Sequence, residues 1–482
     1  MLRSLAVAGL AAGLVMASAA AHAQKVVRLT NQPPDGALVT FQMTDGTVLA
    51  QSDDENTWYK LTPDDTGSYV NGTWSQVASL PPGYQPLYFA AAVLADGRLV
   101  ITGGEYNQNN FAFTNQGAVY DPVKNVWTVL KPPKGWKWIG DSPSSVLPDG
   151  RYMVGDKFFN KVAALDPKTL QWTELPSKGK NEKWFAEEGW VLMPTGNILT
   201  WDVKDNPLSE MYDVASGKWK NLGSTQQNLQ GPCLECQCIE VPPKNWCYYS
   251  PGETGPGILR PDGTVFAEGA MHQGASTAYT AIYTPGSGWS VGPDWPDGDQ
   301  ASDCPAALLP DGNVLALGSS DYLYEFDGKN FTRENVGQVN ATYSSLMVLP
   351  TGEVLIAGYA VYQSTGTYEP AWQPTISNYP STVTRGSTYK ISGTQFNGLS
   401  QAAGFGDEVE TWTNYPLVRI TNNSTGHVFY ARTHDHSTMG VATGSQIVST
   451  HFDVPSGMET GASTLEVVAN GIPSTAVAVA VQ

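Results

Sequence analysis

Two histidines separated by a single aspartate stand in the segment 433–437 (THDHS). Side chains on a β-strand alternate between its two faces, so His434 and His436 would project to the same face. Two imidazoles with a carboxylate nearby can bind zinc or copper. Alternatively, this polar segment docks on the repeat domain predicted below and closes its pore, which is the interpretation that we favour. Both hypotheses hold if the segment reaches the ring of carboxylates described next.

Three carboxylates and two tyrosines share a second spacing, because each stands nine residues before the glycine of a turn of the Pro-Asp-Gly type. They are Tyr88, Asp141, Glu187, Asp303 and Tyr343, and Ala37 and Thr254 hold the two remaining positions of the set. Clustered carboxylates need a cation, a shared proton or a ligand that donates hydrogen bonds. Such a cluster could bind a hard metal such as calcium or perform acid–base chemistry on a sugar. Alternatively, it is the polar mouth of a water-filled channel.

The elements that must position these residues are seven predicted β-hairpins. Each has a turn between two apolar runs, as in 308–318 (LLPDGNVLALG). Glycine adopts positive φ at little steric cost, which makes such a turn a strong hairpin signal. The turn glycines, 40 to 67 residues apart, are Gly46, Gly97, Gly150, Gly196, Gly263, Gly312 and Gly352. A repeat of about fifty residues with four short strands per unit predicts a seven-bladed β-propeller of kelch type, in which equivalent inner positions form a ring around the channel.

The seventh unit differs from the others at its end. Several earlier units end with a tryptophan-bearing strand, such as the one around Trp127, and we assign these tryptophans to blade packing. No strand of this kind follows the hairpin at Gly352. Because an unpaired blade edge is a liability, we expect the lone strand predicted at 25–30 (KVVRLT) to complete the last blade.

The sequence pattern divides the chain into three parts. Residues 1–23 have the pattern of a secretory signal peptide, with a basic Arg3, an apolar run and a small-x-small cleavage site. The propeller is predicted over 24–371, and the alternating strands of 372–482 predict an immunoglobulin-like β-sandwich. We therefore expect an exported protein, periplasmic or secreted, without a membrane span, since no later apolar run is long enough.

The five cysteines bear on redox chemistry. Four of them lie in a predicted insertion at about 223–257 and one lies apart: Cys233, Cys236, Cys238 and Cys247, with Cys304 as the fifth. In an exported protein, this grouping predicts one or two disulfides that staple a long loop, with the pairing left open. A metal site is the alternative, and the odd count leaves one thiol free.

The net charge of −18 argues against two classes of partner. Nucleic acids and anionic membranes are bound through clustered lysine and arginine, and the sequence has no basic run of that kind. We expect neither a nucleic acid nor a membrane surface as the main partner.

A propeller followed by a sandwich resembles the galactose oxidase and glyoxal oxidase superfamily, whose C-terminal domain is an early-set immunoglobulin-like fold. The resemblance rests on the hairpins, on the segment 389–398 (YKISGTQFNG) and on the close at 467–474. The resemblance implies one copper ion held by two histidines and two tyrosines. One of the two tyrosines is cross-linked to a cysteine in that superfamily. This chain has Ala90 in the place of the cysteine, Asp141 at that of the cross-linked tyrosine, and Tyr343 at that of a Tyr-His pair. The resemblance therefore predicts the fold and not a copper-radical oxidase.

The function that we expect is carbohydrate-directed, with a glycan such as a cell-envelope polysaccharide bound or processed at the acidic mouth of the propeller. One alternative is a metal-dependent oxidoreductase with a site rebuilt from Asp141, Tyr343 and His434 or His436. Another alternative is a protein-interaction module without catalysis. Copper, zinc and calcium all stay open as cofactors.

Overall fold

The computed structural model describes residues 25–181, 183–231, 239–241, 246–248, 252–406 and 408–482. The predicted signal peptide at 1–23 lies outside these ranges. So do Cys233, Cys236, Cys238 and the side chain of Cys247, and their pairing therefore stays a prediction. Cys304 is buried and carries a free thiol. Within the described ranges, no helix has the length and apolar character needed to cross a bilayer.

Seven antiparallel sheets form the blades of a β-propeller, each with four strands of its own, and the sheet of blade 6 gains a fifth strand from the C-terminal part. Blade 1 contains Val39–Gln42, Val48–Gln51, Trp58–Thr62 and Thr73–Gln76. Blade 2 contains Ala90–Val93, Leu99–Thr102, Gly117–Asp121 and Val126–Val129. Blade 3 contains Ser144–Val146, Tyr152–Asp156, Phe159–Asp166 and Gln171–Leu175. Blade 4 contains Val191–Leu192, Ile198–Trp201, Leu208–Asp213 and Lys218–Ser224.

The remaining blades follow the same pattern. Blade 5 contains Gly257–Leu259, Val265–Glu268, Thr280–Thr284 and Gly288–Val291. Blade 6 contains Ala306–Leu308, Val314–Leu317, Tyr322–Phe326 and Phe331–Gln338. Blade 7 contains Leu346–Val348, Val354–Ile356, Ala360–Gln363 and, from the other end of the chain, Lys25–Arg28. In every blade the predicted hairpin joins the first two strands, and all seven turn glycines have φ between 78° and 88°.

The N-terminal strand closes the propeller as expected. Lys25–Arg28 pairs antiparallel with Ala360–Gln363 and so supplies the outermost strand of blade 7. Leu29, which follows it, is only 3% exposed and packs in a cluster with residues of blades 1 and 7. The closed ring leaves no open edge between the first and last blades.

The five tryptophans that recur at the outer strands staple neighbouring blades together. In each case the indole N–H donates a hydrogen bond to a group of the preceding blade or of the segment that follows it. The pairs are Trp74 with the Asn31 carbonyl, Trp127 with that of Ala78, Trp172 with that of Lys131, Trp219 with the Ser177 hydroxyl and Trp289 with the Ser209 hydroxyl. Trp74 binds the segment that follows the N-terminal strand, so the same contact also spans the closure. These tryptophans serve blade packing, as the sequence predicted.

The C-terminal strands form a nine-stranded β-structure, with eight strands along one path and Ile472–Pro473 pairing beside it. Along the path the strands are Thr375–Asn378, Thr388–Thr394, Val448–Asp453, Val428–His434, Leu417–Asn422, Gly461–Ala469, Val477–Val481 and Thr382–Val383. Smaller elements are the strands Pro86–Leu87, Tyr106–Asn107, Asn110–Phe111, Ile239–Val241 and Trp246–Tyr248, and the 3-10 helices Pro296–Gly298 and Pro370–Trp372. The fold class is therefore all-β, with a propeller followed by a sandwich.

One segment from the C-terminal part passes into the centre of the propeller, and we call its described residues, 401–406 and 408–411, the channel segment. Its strand Ala403–Gly404 pairs with the innermost strand of blade 6. The Glu410 carboxylate accepts hydrogen bonds from the backbone of Ala91 and Ser144 in blades 2 and 3, both at 2.8 Å. Because this segment packs inside the propeller, the boundary at residues 371 and 372 stays a proposal.

Candidate functional site

The seven ring positions all lie at one end of the propeller, which we call the ring end, where the chain enters the innermost strand of each blade. The backbone turns there through positive φ, at the ring position or one or two residues before it. The residues concerned are Gly36, Tyr88, Gly140, Glu187, Gly252, Ser302 and Tyr343. Glycine adopts this conformation freely, whereas other residues incur a cost of about 1–3 kcal/mol. Tyr88, Glu187 and Tyr343 occupy it nevertheless, which makes their side chains candidates for function.

A buried lysine joins two of the ring carboxylates. Lys157 follows the second strand of blade 3, and its ammonium donates to Asp141 Oδ2 and, at 2.8 Å, to Glu187 Oε1. All three side chains are at most 7% exposed. The same ammonium lies 5.2 Å from the centroid of the Phe113 ring. The Lys157 ammonium thus compensates one carboxylate from blade 3 and one from blade 4. It is the cation that such a cluster of carboxylates needs.

Asp303 forms a second part of the cluster with Glu253, a residue adjacent to the ring position Thr254. Burial raises the pKa of Asp303 to about 7, and the charge of Glu187 acts in the same direction. A hydrogen bond with the Glu253 side chain and the charge of Lys157 oppose this shift. Two carboxyl groups hydrogen-bond to each other only when one of them holds a proton. The ring therefore contains one carboxyl group, that of Asp303, with a pKa near neutral pH and a second carboxyl group hydrogen-bonded to it.

The two ring tyrosines lie beside this cluster and face a cavity. Their ring centroids are 6.5 Å apart, and Tyr343 is 55% exposed. The cavity has a volume of about 410 Å³, and its lining includes Ala37, Tyr88 and Tyr343. Burial raises the pKa of the Tyr88 phenol, and the charges of Glu408 and Asp303 add to the shift. The tyrosines and the carboxylates thus belong to one site.

No family model matches the chain. Over 120 residues it is 27% identical to the kelch-like protein terF of Aspergillus terreus, a match that covers 22% of this chain and 26% of that protein. The chain therefore matches about a quarter of the length of that curated relative.

Two solved structures show a distant likeness. A fungal alcohol oxidase of the AA5 family, solved in complex with copper, has a TM-score of 0.48 and 15% identity, with 95% of this chain and 98% of that chain covered. A virginiamycin B lyase from Staphylococcus aureus, solved as a catalytically inactive variant with quinupristin, has a TM-score of 0.47 and 11% identity, covering 70% and 98% respectively. These likenesses assign no activity to this chain.

The ring residues do not fit copper as the galactose oxidase superfamily holds it. Ala90 offers no ligand, and the ammonium of Lys157 already binds the Asp141 carboxylate in the place of the cross-linked tyrosine. The hydrogen-bond partner of the Asp303 side chain is the carboxyl group of Glu253 rather than an imidazole. Among the residues that the structure describes, no three histidine, cysteine, aspartate or glutamate side chains are arranged to hold a metal ion.

The segment that reaches the ring from the C-terminal part brings a carboxylate and not a histidine. Glu408 of the channel segment lies near enough to raise the pKa of Tyr88. The segment 433–437 docks on the propeller, as we favoured, but the expectation that it could also reach the ring is wrong. Its backbone docks on the hairpin turns at the opposite end of blades 1 and 2, with Thr433 N–H donating to Thr44 O at 3.0 Å and His436 N–H to Ala95 O at 3.1 Å.

The expected alternation of His434 and His436 also fails, because the strand ends at His434 and Asp435 has φ of 52°. His434 contacts the carboxylates of Asp435, at 2.8 Å, and Asp453, at 3.2 Å. His436 is buried, with Nδ1 2.8 Å from the Thr450 hydroxyl, and burial lowers its pKa to about 3. The metal site proposed for this pair stays a prediction.

Sequence reasoning missed Lys157, Glu253 and Glu408. Lys157 carried one signal, since a lysine directly after the buried strand Tyr152–Asp156 is an unusual place for a charge. Glu253 is one residue away from a ring position. Glu408 gave no local signal, because its place depends on how the C-terminal part enters the channel.

Proposed function

We propose that this protein is exported and that it binds a carbohydrate at the ring end of the propeller. The observation that carries the proposal is the half-exposed Tyr343, which lies with Tyr88 on the wall of a 410 Å³ cavity beside the carboxyl cluster. Aromatic rings present an apolar face to the C–H groups of a sugar, and carboxylates accept hydrogen bonds from its hydroxyls. A cavity of this volume falls within the usual range for small ligands.

The carboxyl pair gives the site a group suited to proton transfer. A general acid or base works best when its pKa lies near the operating pH, and the pKa of Asp303 is about 7. Asp303 would donate or accept the proton, and Glu253 would share that proton through their hydrogen bond. Lys157 would compensate the charge of Glu187, which otherwise raises the pKa of Asp303 further. Processing of the bound glycan is the finer form of the proposal.

The test is a glycan array probed with the wild-type protein and followed by calorimetry on the best ligand. We expect Tyr343→Ala to weaken binding at least tenfold and Tyr343→Phe to weaken it less, because the ring face is kept. Tyr368→Ala is the matched control, since Tyr368 is a half-buried tyrosine that lines a different groove. Absence of binding by the wild-type protein across a broad array would refute the proposal.

Processing is tested separately. Asp303→Asn removes the group that titrates near neutral pH but keeps the shape of the side chain. We expect this variant to retain glycan binding and to lose turnover of any glycan that the wild-type protein converts. Equal turnover by the two proteins would show that Asp303 moves no proton.

A further inference from the structure

A second cavity, also of about 410 Å³, lies between blades 3 and 4 and is lined by aromatic residues and lysines. Its lining residues are Phe158, Phe159, Asn181, Lys183, Trp184, Lys204 and Asp205, which we call the basic–aromatic pocket. They come from the connections that leave the second strands of blades 3 and 4 and from the segment that joins these blades. All of these connections lie at the ring end of the propeller.

The walls of the pocket are aromatic faces with ammonium groups over them. The Lys204 ammonium lies 4.0 Å from the centroid of the Trp184 ring. The Lys161 ammonium lies 5.2 Å from that of Phe159, a side chain that is 41% exposed. A cation over an aromatic face is held in place by the ring quadrupole. The pocket therefore combines a stacking surface with positioned positive charge.

The charge distribution along the chain marks this region as different from the rest. Residues 131–220 contain 13 of the 27 lysines and arginines but only 12 of the 45 aspartates and glutamates. The remainder of the chain is strongly acidic and repels anions over most of its surface. Lys183 and Lys204 are both exposed at the pocket. Two lysines and one acid, Asp205, are the charged residues of the lining, so the pocket favours an anionic ligand.

The pocket adjoins the ring lysine along the chain. Phe158 directly follows Lys157, the lysine that joins Asp141 and Glu187, and the Lys157 carbonyl accepts a hydrogen bond from Phe185 N–H at 3.2 Å. Trp184 is therefore next in the chain to Phe185, which is hydrogen-bonded to the backbone of Lys157. The pocket therefore lies on the side of the ring that carries Asp141, Lys157 and Glu187, which is the direction in which a ligand longer than one sugar would extend.

We propose that the basic–aromatic pocket binds an acidic sugar residue of the glycan whose neighbouring residue occupies the ring. This inference rests on the proposed function and names its substrate class as an anionic polysaccharide. The sugar packs against the aromatic side chains that line the pocket, and its carboxylate or sulfate pairs with Lys183 and Lys204. Both kinds of anion suit the lysines, since an ammonium acts as a point charge toward either.

The experiment is calorimetric titration with three probes of equal length: an oligogalacturonate, a sulfated oligosaccharide of the chondroitin type, and a neutral galacto-oligosaccharide. We expect the wild-type protein to bind at least one acidic probe ten times more tightly than the neutral one at low salt. That preference should shrink at 0.5 M NaCl, because salt screens exposed charges. The stronger of the two acidic probes identifies the anionic group.

The variant pair K183Q and K204Q, combined in one protein, removes both charges at exposed positions and leaves the folded core intact. We expect it to lose at least tenfold in affinity for the acidic probe and to keep the wild-type affinity for the neutral probe. The combined variant K218Q and K220Q is the matched control, since these are exposed lysines on the outer strand of blade 4.

The outcomes separate this inference from the function on which it rests. Equal binding of acidic and neutral probes, or unchanged acidic binding in K183Q/K204Q, refutes the pocket and leaves carbohydrate binding at the ring intact. Acidic binding that survives Tyr343→Ala but is lost in K183Q/K204Q supports the pocket and refutes the ring as the carbohydrate site. No binding of any probe refutes both.

Discussion

Replacing Lys157 with methionine removes the ammonium that joins Asp141 and Glu187 and keeps a side chain of similar length. In the wild-type protein the three side chains are at most 7% exposed, so water cannot compensate for the lost charge. Removal of one partner from a buried ion pair costs about 3–5 kcal/mol, because the other charge stays buried and uncompensated. We expect Lys157→Met to lose this amount in the free energy of unfolding at pH 8.

The assay is denaturant unfolding followed by tryptophan fluorescence at pH 8 and at pH 5. The loss should be smaller at pH 5, since a carboxyl group that takes up a proton no longer carries the stranded charge. In the wild-type protein the charge of Lys157 opposes the rise in the pKa of Asp303. The variant should therefore also show a pKa of Asp303 above 7, which a titration by NMR can measure.

Two further proteins make the result decisive. Lys168→Met changes an exposed lysine in the turn before the outer strand of blade 3 and should change stability by less than about 0.5 kcal/mol. Glu187→Gln in the Lys157→Met background removes one stranded charge and should recover part of the loss at pH 8. A loss below about 1 kcal/mol that is equal at both pH values would refute the reasoning, because it would mean that the ring carboxylates are solvated.

Four other predictions follow from the described contacts. Deleting residues 25–30 should lower the melting temperature by several degrees, because it removes the outer strand of blade 7 and the burial of Leu29; an unchanged thermal transition would contradict the closure. Burial raises the pKa of Asp156 to about 7, so its contribution to stability is present at low pH and is lost as the pH rises from about 4 through 7. Asp156→Asn should therefore be more stable than the wild-type protein at pH 8, by roughly 2–4 kcal/mol, and equal to it near pH 4, as measured by urea unfolding; a constant difference across this range would count against the buried carboxyl. Burial lowers the pKa of His436 to about 3, so its contribution is present above pH about 6.5 and is lost on acidification. The stability advantage of the wild-type protein over His436→Gln should shrink by roughly 2 kcal/mol between pH 7 and pH 5, and a pH-independent gap would show that the imidazole is not buried. Elemental mass spectrometry of protein purified without chelator should find no stoichiometric copper, whereas one copper per chain would require a ligand set other than the ring described above.

The architecture followed from local patterns. A turn glycine between two apolar runs needs positive φ, and that need is met within a few residues of the chain, so all seven hairpins were predictable. The missing outer strand of the seventh unit was also predictable, because comparison with the other six units shows which strand the seventh lacks. The strand 25–30 was then the candidate left to pair with it, and the register between Lys25–Arg28 and Ala360–Gln363 confirms the assignment.

The segment 433–437 shows why a short spacing rule can fail. The rule that i and i+2 share a face holds only while the strand continues, and here it stops at His434. The positive φ of Asp435 turns the chain toward the hairpin end of the propeller. What decides this turn is the contact of the segment with Thr44 and Ala95, which are more than 300 residues away along the chain.

The repeat, the closure and the register that places acids and tyrosines in one ring could be predicted from the amino-acid sequence, because they depend on backbone conformations that neighbouring residues set. How those residues interact with one another depends on the tertiary structure. The ammonium of Lys157 between two blades, the carboxyl pair of Asp303 and Glu253, and the approach of Glu408 through the channel all join residues from different blades or from the two ends of the chain. Charge interactions of this kind depend on the distance between the groups and on their burial, and neither can be predicted from the residues that are neighbours in the sequence.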